Sequence, residues 1–188
     1  MKISPHTLVF SEQWREKGRN YLFDHNPANY FDRFFTAFVL YNCLYNEINR
    51  ICYLRLERDK NKAVAAAKAF LTSEAILAEL TVKSCSDEIL NLIQRKEFYI
   101  WKEQSDYQSE PVMKLSSPNP NEHIDGLLEI IYGVRCNMFH GEKEFLGNQK
   151  IILKPCICII EKLNDLIIQK FQNDDENSAA RPPRENAL

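Results

Sequence analysis

The segment after Pro27 carries more large apolar side chains than one helix face can hold. Phe31, Phe34, Phe35, Phe38, Leu44, Ile48 and Leu54 recur at helical spacing but fall on more than one stripe. A helix lying on a surface turns one side to water, so a helix apolar on several sides is either central to a bundle or shared with a second subunit. Pro27 suits a first helical position and opens this helix, which is expected over about Ala28 to Arg58. Only 5 Gly and 8 Pro punctuate 188 residues, several of them between periodic segments, which favours long helices. The expected fold is all-α, a bundle of long antiparallel helices.

Other segments follow the same pattern with weaker signals. Ser11 is expected to cap a first helix that runs through about Phe23, with Trp14 as its largest apolar contribution. The charged stretch from Arg55 to Lys62 turns the chain, and the alanine-rich run from Ala63 continues as helix to Leu71. Thr72 and Ser73 restart a helix toward Leu80, and Ser86 with Asp87 and Glu88 resembles a further helix start. Ser105 to Pro118 reads as a loop. Ile151 to Leu153 is expected to be a short strand or an extended approach, with Pro155 opening the last helix and Ile157, Ile160, Leu163, Ile167 and Phe171 on its apolar side. Periodicity is lost from Gln172, so residues 1–171 are expected to form one domain and 172–188 a disordered tail.

Charge and cysteine usage narrow the class. The net charge is −2, so no bulk positive field marks a nucleic-acid surface and any phosphate binding must be local. The opening residues lack the apolar run of a signal peptide and no later run reaches membrane-spanning length, which points to a cytoplasmic protein. The 6 cysteines read as free thiols, and Cys156-x-Cys158 lacks the second Cys/His pair of a metal site.

The stretch from Asn119 to Gly141 combines a helix start, a long apolar face and a polar cluster. Asn119 can cap, Pro120 takes the first helical position, and Glu122 is placed to close a capping box. Ile124, Leu127, Ile131, Val134 and Met138 wind onto one face, and Gly141 suits the terminating position. Arg135 projects about 40° from the middle of that face, so its guanidinium either reaches water along the core edge or is presented at a groove or subunit interface. There a fork of donors suits a phosphate. His140 lies roughly 140° further round an ideal helix, and a helix end near Gly141 can rotate it back toward Arg135 or toward another chain. Asn42, Asn46, Glu47 and Asn49 interrupt the apolar helix, facing water or, if buried, hydrogen-bonded, with Glu47 the carboxylate to test against Arg135.

The run Val134-Arg135-Cys136-Asn137-Met138-Phe139-His140-Gly141 resembles the R-x4-H signature of the HEPN superfamily, especially its Apea-like branch. Phe35 to Ile48, FTAFVLYNCLYNEI, resembles that branch's early helix, with Asn42, Leu44 and Tyr45 in its Asn-x-Leu-Tyr element. The resemblance covers residues 27–171. It implies a helical bundle, frequently dimeric, whose Arg/His motifs meet in a composite cleft, and it makes Arg135 and His140 the candidate catalytic residues. Cys136 stands where active relatives commonly carry Asn, Asp or His, leaving Asn137 to supply the orienting contacts and Glu47 as a supporting carboxylate.

These residues offer a metal-independent ribonuclease chemistry. The 2′-OH beside a scissile phosphate attacks phosphorus, His140 moves the proton, and Arg135 neutralises the developing charge on the nonbridging oxygens. A homodimer supplies two histidines, one as base and one as acid. The alternative is a noncatalytic HEPN-like module that binds RNA, a nucleotide or a protein. The implied partners are RNA, a second copy of the chain, and an antitoxin or regulatory protein; no cofactor, metal or membrane is expected.

Overall fold

A computed structural model describes residues 3–98, 109–139 and 149–179, and all regular structure among them is α-helical. In chain order the helices are α1 (Pro5–Arg19), α2 (Pro27–Ile51), α3 (Asp59–Leu71), α4 (Ser73–Ala78), α5 (Leu80–Gln94), α6 (Glu110–Leu115), α7 (Pro120–Phe139) and α8 (Gln149–Ala179). None of these is long and apolar enough to cross a membrane. All six cysteines are free thiols.

As its several apolar stripes require, α2 is surrounded. It packs on α1, α3 and α8, and Phe34, Tyr41, Leu44, Tyr45 and Ile48 are almost wholly buried. Burial of a large apolar side chain contributes about 1.5–3 kcal/mol, so this helix anchors the core. From α8, Ile157, Ile160, Leu163, Ile167 and Phe171 join the same buried cluster.

Helix direction follows from which residues pair. Glu47 of α2 meets Ser4 before α1, and Arg33 meets the Tyr21 carbonyl beyond it, so α1 and α2 are antiparallel. So are α3 and α7, through Lys60–Glu129 at 2.6 Å and Lys68–Asp125. The two longest helices differ from expectation. Lys150 reaches the His25 carbonyl, Arg33 grips Glu161, and Asn164 donates to the Ala37 carbonyl, so α2 and α8 run parallel. Because α3 to α7 intervene, no short turn imposes the antiparallel arrangement.

Several helix ends depart from the sequence expectation for local reasons. Ser4, not Ser11, caps α1, its Oγ accepting from the Thr7 amide at 3.1 Å, while Ser11 is buried within the helix and donates to the Thr7 carbonyl. Well short of Arg58, α2 stops at Ile51, because Asn49 turns back to bond both the amide and the carbonyl of Leu56. Within the stretch expected as a loop, α6 forms because Val112 and Leu115 find burial. Ser86 starts no helix: it is buried inside α5.

The last helix overturns two expectations. It begins at Gln149, so 151–153 is helix, and Pro155 lies inside it. An internal proline removes one hydrogen bond at a cost of about 3 kcal/mol, which burial of Leu153 and of Pro155 itself offsets. The helix then continues past Phe171 to Ala179, where the disordered tail was expected. Propagation adds one bond per residue to an existing helix, so an extension needs no apolar face.

The start of α7 is as expected, with one change. Asn119 Oδ1 accepts from the Asn121 amide at 2.9 Å, but Glu122 closes no box directly. It accepts from Ser117 Oγ at 2.6 Å, and that oxygen in turn accepts from the Asn119 amide. Along α7, Gly126 lets α6 lie against the backbone. A Cβ there would collide with the Leu115 amide and come within 2.5 Å of the Pro111 carbonyl oxygen. Gly→Ala inside a helix ordinarily stabilises by about 1 kcal/mol. Here overpacking wins, and Gly126→Ala should destabilise by about 3 kcal/mol or more, read as a lower urea midpoint.

Between α5 and α7, the Ser86 hydroxyl and His123 Nε2 are 2.8 Å apart. Burial holds the His123 pKa below the ordinary imidazole value, opposed in part by Asp87. The folded state therefore resists protonation more than the unfolded chain does. Stability from this site is complete above about pH 6.5 and is lost as pH falls toward the lower folded value. His123→Gln should lose less stability than wild type between about pH 7.5 and 5.5, measured by denaturant unfolding.

Candidate functional site

The spacing of three and four residues on α2 places Phe38, Asn42, Tyr45 and Asn46 on one side of the helix. Across from them stand Asp59 and Lys62 at the start of α3 and Tyr132 and Arg135 in the last turns of α7. The antiparallel pairing of α3 with α7 brings Asp59 to Tyr132, whose hydroxyl donates to Oδ2 at 3.1 Å. The Tyr45 hydroxyl donates to Oδ1 at 2.7 Å. One carboxylate thus ties α2 to α7 through two phenols.

The chain of bonds continues on α2. Asn42 Nδ2 donates to the Tyr45 oxygen at 2.5 Å, Asn46 Nδ2 donates to Asn42 Oδ1 at 3.0 Å, and Lys62 Nζ donates to Asn46 Oδ1 at 3.1 Å. Every donor points the same way, from the ammonium toward the carboxylate, an arrangement in which successive bonds polarise one another. Tyr45 is completely buried. Burial raises its pKa and the Asp59 carboxylate raises it further; Tyr132 is pushed up to about 12 by burial and by Asp59. Both phenols therefore stay protonated and remain donors at neutral pH.

Arg135 is half-buried beside this network. Its guanidinium carbon lies 5.5 Å from the centre of the Tyr132 ring and 5.8 Å from that of Phe38. Nη1 is 3.9 Å from Cys136 Sγ. Aromatic faces attract a guanidinium by about 0.5–2 kcal/mol. The guanidinium thus lies near a ring of α2 and a ring of its own helix α7.

The other expected site residues are placed as follows. Asn137 is half-buried, near Arg135 in the same end of α7. Glu47 does not serve Arg135. Its carboxylate accepts from the Ser4 amide at 2.8 Å and from Arg50 Nη2 and Nε at 2.8 and 3.0 Å, and the Arg50 bonds above all hold its pKa below the usual carboxylate range. Position 47 is rotated about 140° round α2 from Asn42, which turns it toward α1. His140 lies outside the described residues, as does Gly141.

Asn42 and Asn46 resolve the choice between water-facing and hydrogen-bonded in favour of the second. Asp59 was not anticipated. Its one sequence signal is indirect: Tyr45 and Tyr132 sit on apolar helices, and a buried phenol needs an acceptor. Comparison with protein-family models, with curated proteins and with solved structures gives no match.

The arrangement can hold an anion. A guanidinium stands beside neutral phenols and carboxamides, and the Asp59 carboxylate has both oxygens engaged by tyrosines. Removing that carboxylate strands two phenols, one of them fully buried. Asp59→Ala should cost about 1–3 kcal/mol in urea unfolding, and a cycle with Tyr45→Phe should show coupling of about 0.5 kcal/mol or more.

Proposed function

We propose that the chain is a HEPN-type endoribonuclease that cleaves RNA without a metal, at a composite site formed by two copies. The observation that carries this reading is the Arg135 guanidinium, set between Phe38 and Tyr132 beside the Asp59 network within the segment VRCNMFHG. Phe38 and Arg135 belong to the two segments that carry the family resemblance, Phe35–Ile48 and Val134–Gly141.

In this mechanism the RNA lies with a scissile phosphate at Arg135. The 2′-oxygen attacks phosphorus and its proton passes to one His140, while the bond to the 5′-oxygen breaks and a protonated His140 of the second copy donates to it. The products are a 2′,3′-cyclic phosphate and a 5′-hydroxyl. Arg135 stabilises the charge that develops on the nonbridging oxygens. DNA lacks the nucleophile and is not cut. A cytoplasmic toxin or defence enzyme held in check by an antitoxin or regulatory protein fits this chemistry.

One observation favours a second reading, a noncatalytic HEPN-like module that binds RNA, a nucleotide or a protein. The side chain next to Arg135 Nη1 is the Cys136 thiol, a poor substitute for a carboxamide in orienting a guanidinium or a substrate. The two readings part in one assay. Mixed RNA incubated with excess chelator should be cleaved by wild type, with cyclic-phosphate ends, and at least about 10²-fold more slowly by folded Arg135→Ala and His140→Ala. Equal cleavage by all three proteins, or cleavage of an all-deoxy strand, would overturn the mechanism. Binding with no cleavage by any of them would favour the module.

A further inference from the structure

The chemistry proposed for Arg135 accounts for one phosphate, yet the hydrogen-bond chain beside it ends in a second cation. Three lysines lie on α3. Lys60 is paired with Glu129 at 2.6 Å and Lys68 with Asp125, both carboxylates of α7. Lys62 is half-buried, and among the described residues its ammonium bonds only the neutral Asn46 amide oxygen, at 3.1 Å. No carboxylate among the described residues forms an ion pair with it.

Its location is set by the helix. Lys62 comes three residues after Asp59, so the two side chains share a face of α3. Asn46 spends its oxygen on Lys62 and its nitrogen on Asn42, which fixes the amide orientation and holds the ammonium against α2. An ammonium has three donors and Asn46 takes one. Lys62 therefore ends the chain on one side, and Arg135 lies beside the Tyr132 ring at the other. Asp59 is the carboxylate within that network, and both its oxygens are engaged by tyrosines rather than by Lys62.

We infer that Lys62 is a second phosphate contact, binding a backbone phosphodiester of the same single RNA strand whose scissile phosphate lies at Arg135. This rests on the RNA-cleft reading of Arg135 and adds a residue to it. A lysine acts here as a point charge, contributing affinity and register along the strand but no base selectivity. The neutral alternative is that Lys62 merely braces Asn46.

Salt dependence separates charge from bracing. Binding of a 2′-O-methyl oligouridylate, which cannot be cleaved by internal attack, is measured by fluorescence anisotropy from about 50 to 300 mM salt. Wild type, Lys62→Met and Lys62→Arg are compared, each checked for folding by urea denaturation. For a single strand, each phosphate contact contributes about −0.7 to the slope of log K against log salt. Lys62→Met should be shallower than wild type by about 0.7, and Lys62→Arg should restore the wild-type slope. Equal slopes for wild type and Lys62→Met, or equal losses in both variants, would overturn the Lys62 contact while leaving the Arg135 cleft standing. Absence of any salt-dependent binding by wild type would remove the cleft reading and this inference together.

Discussion

Two tyrosine hydroxyls from different helices converge on the Asp59 carboxylate, and the way α2 is tied to α7 depends on that meeting. Neither phenol can be left without an acceptor: Tyr45 is completely buried, and Tyr132 packs against Phe38 with ring centres 6.3 Å apart. The first turn of α3 is a favourable place for the carboxylate, because exposed amides there carry partial positive charge. With both oxygens occupied by tyrosines, Asp59 joins α2 to α7 while Arg135 lies against the same tyrosine ring.

The surrounding ion pairs divide the labour between architecture and site. Glu129 receives Lys60 from α3 and Lys114 from α6, holding both helices onto α7. Arg33 and Glu161 make a two-pronged contact between α2 and α8 at 2.7 and 2.9 Å. Glu47 and Arg50 close on the start of α1. These charges are matched within the scaffold. The polar side of α2 toward α7 is built from carboxamides and phenols; Lys62 of α3 bonds the Asn46 amide oxygen there, and Arg135 of α7 lies over aromatic rings.

What was legible in the sequence is what local physics decides. The multiple apolar stripes of Phe31 to Ile51 require a surrounded helix, and α2 is surrounded. Asn119-Pro120 sets the start of α7 because capping and the proline φ angle are local constraints. Local signals misled where tertiary contacts were stronger. Ser11 and Ser86 are good caps in isolation, but one is needed inside α1 and the other opposite His123. Pro155 is a helix opener by propensity, yet the apolar residues before it gain more from burial than the missing hydrogen bond costs. Glu47 and Asp59 could not be told apart as partners for the α7 cluster, because the choice depends on the α3–α7 register, and nothing within either helix encodes it. Arg135 was singled out by its angle to an apolar face, which is a one-helix property.

The central claim is that a phosphate of a single strand settles on the Arg135 guanidinium between α2 and α7. The most direct measurement is a titration of the arginine Nε–Hε signals of the full chain by NMR, using the uncleavable 2′-O-methyl oligonucleotide. The account predicts that the Arg135 signal moves and saturates while that of Arg33, locked to Glu161 across α2, stays in place. An Arg135 signal that remains fixed while the oligonucleotide binds and shifts signals elsewhere would contradict it.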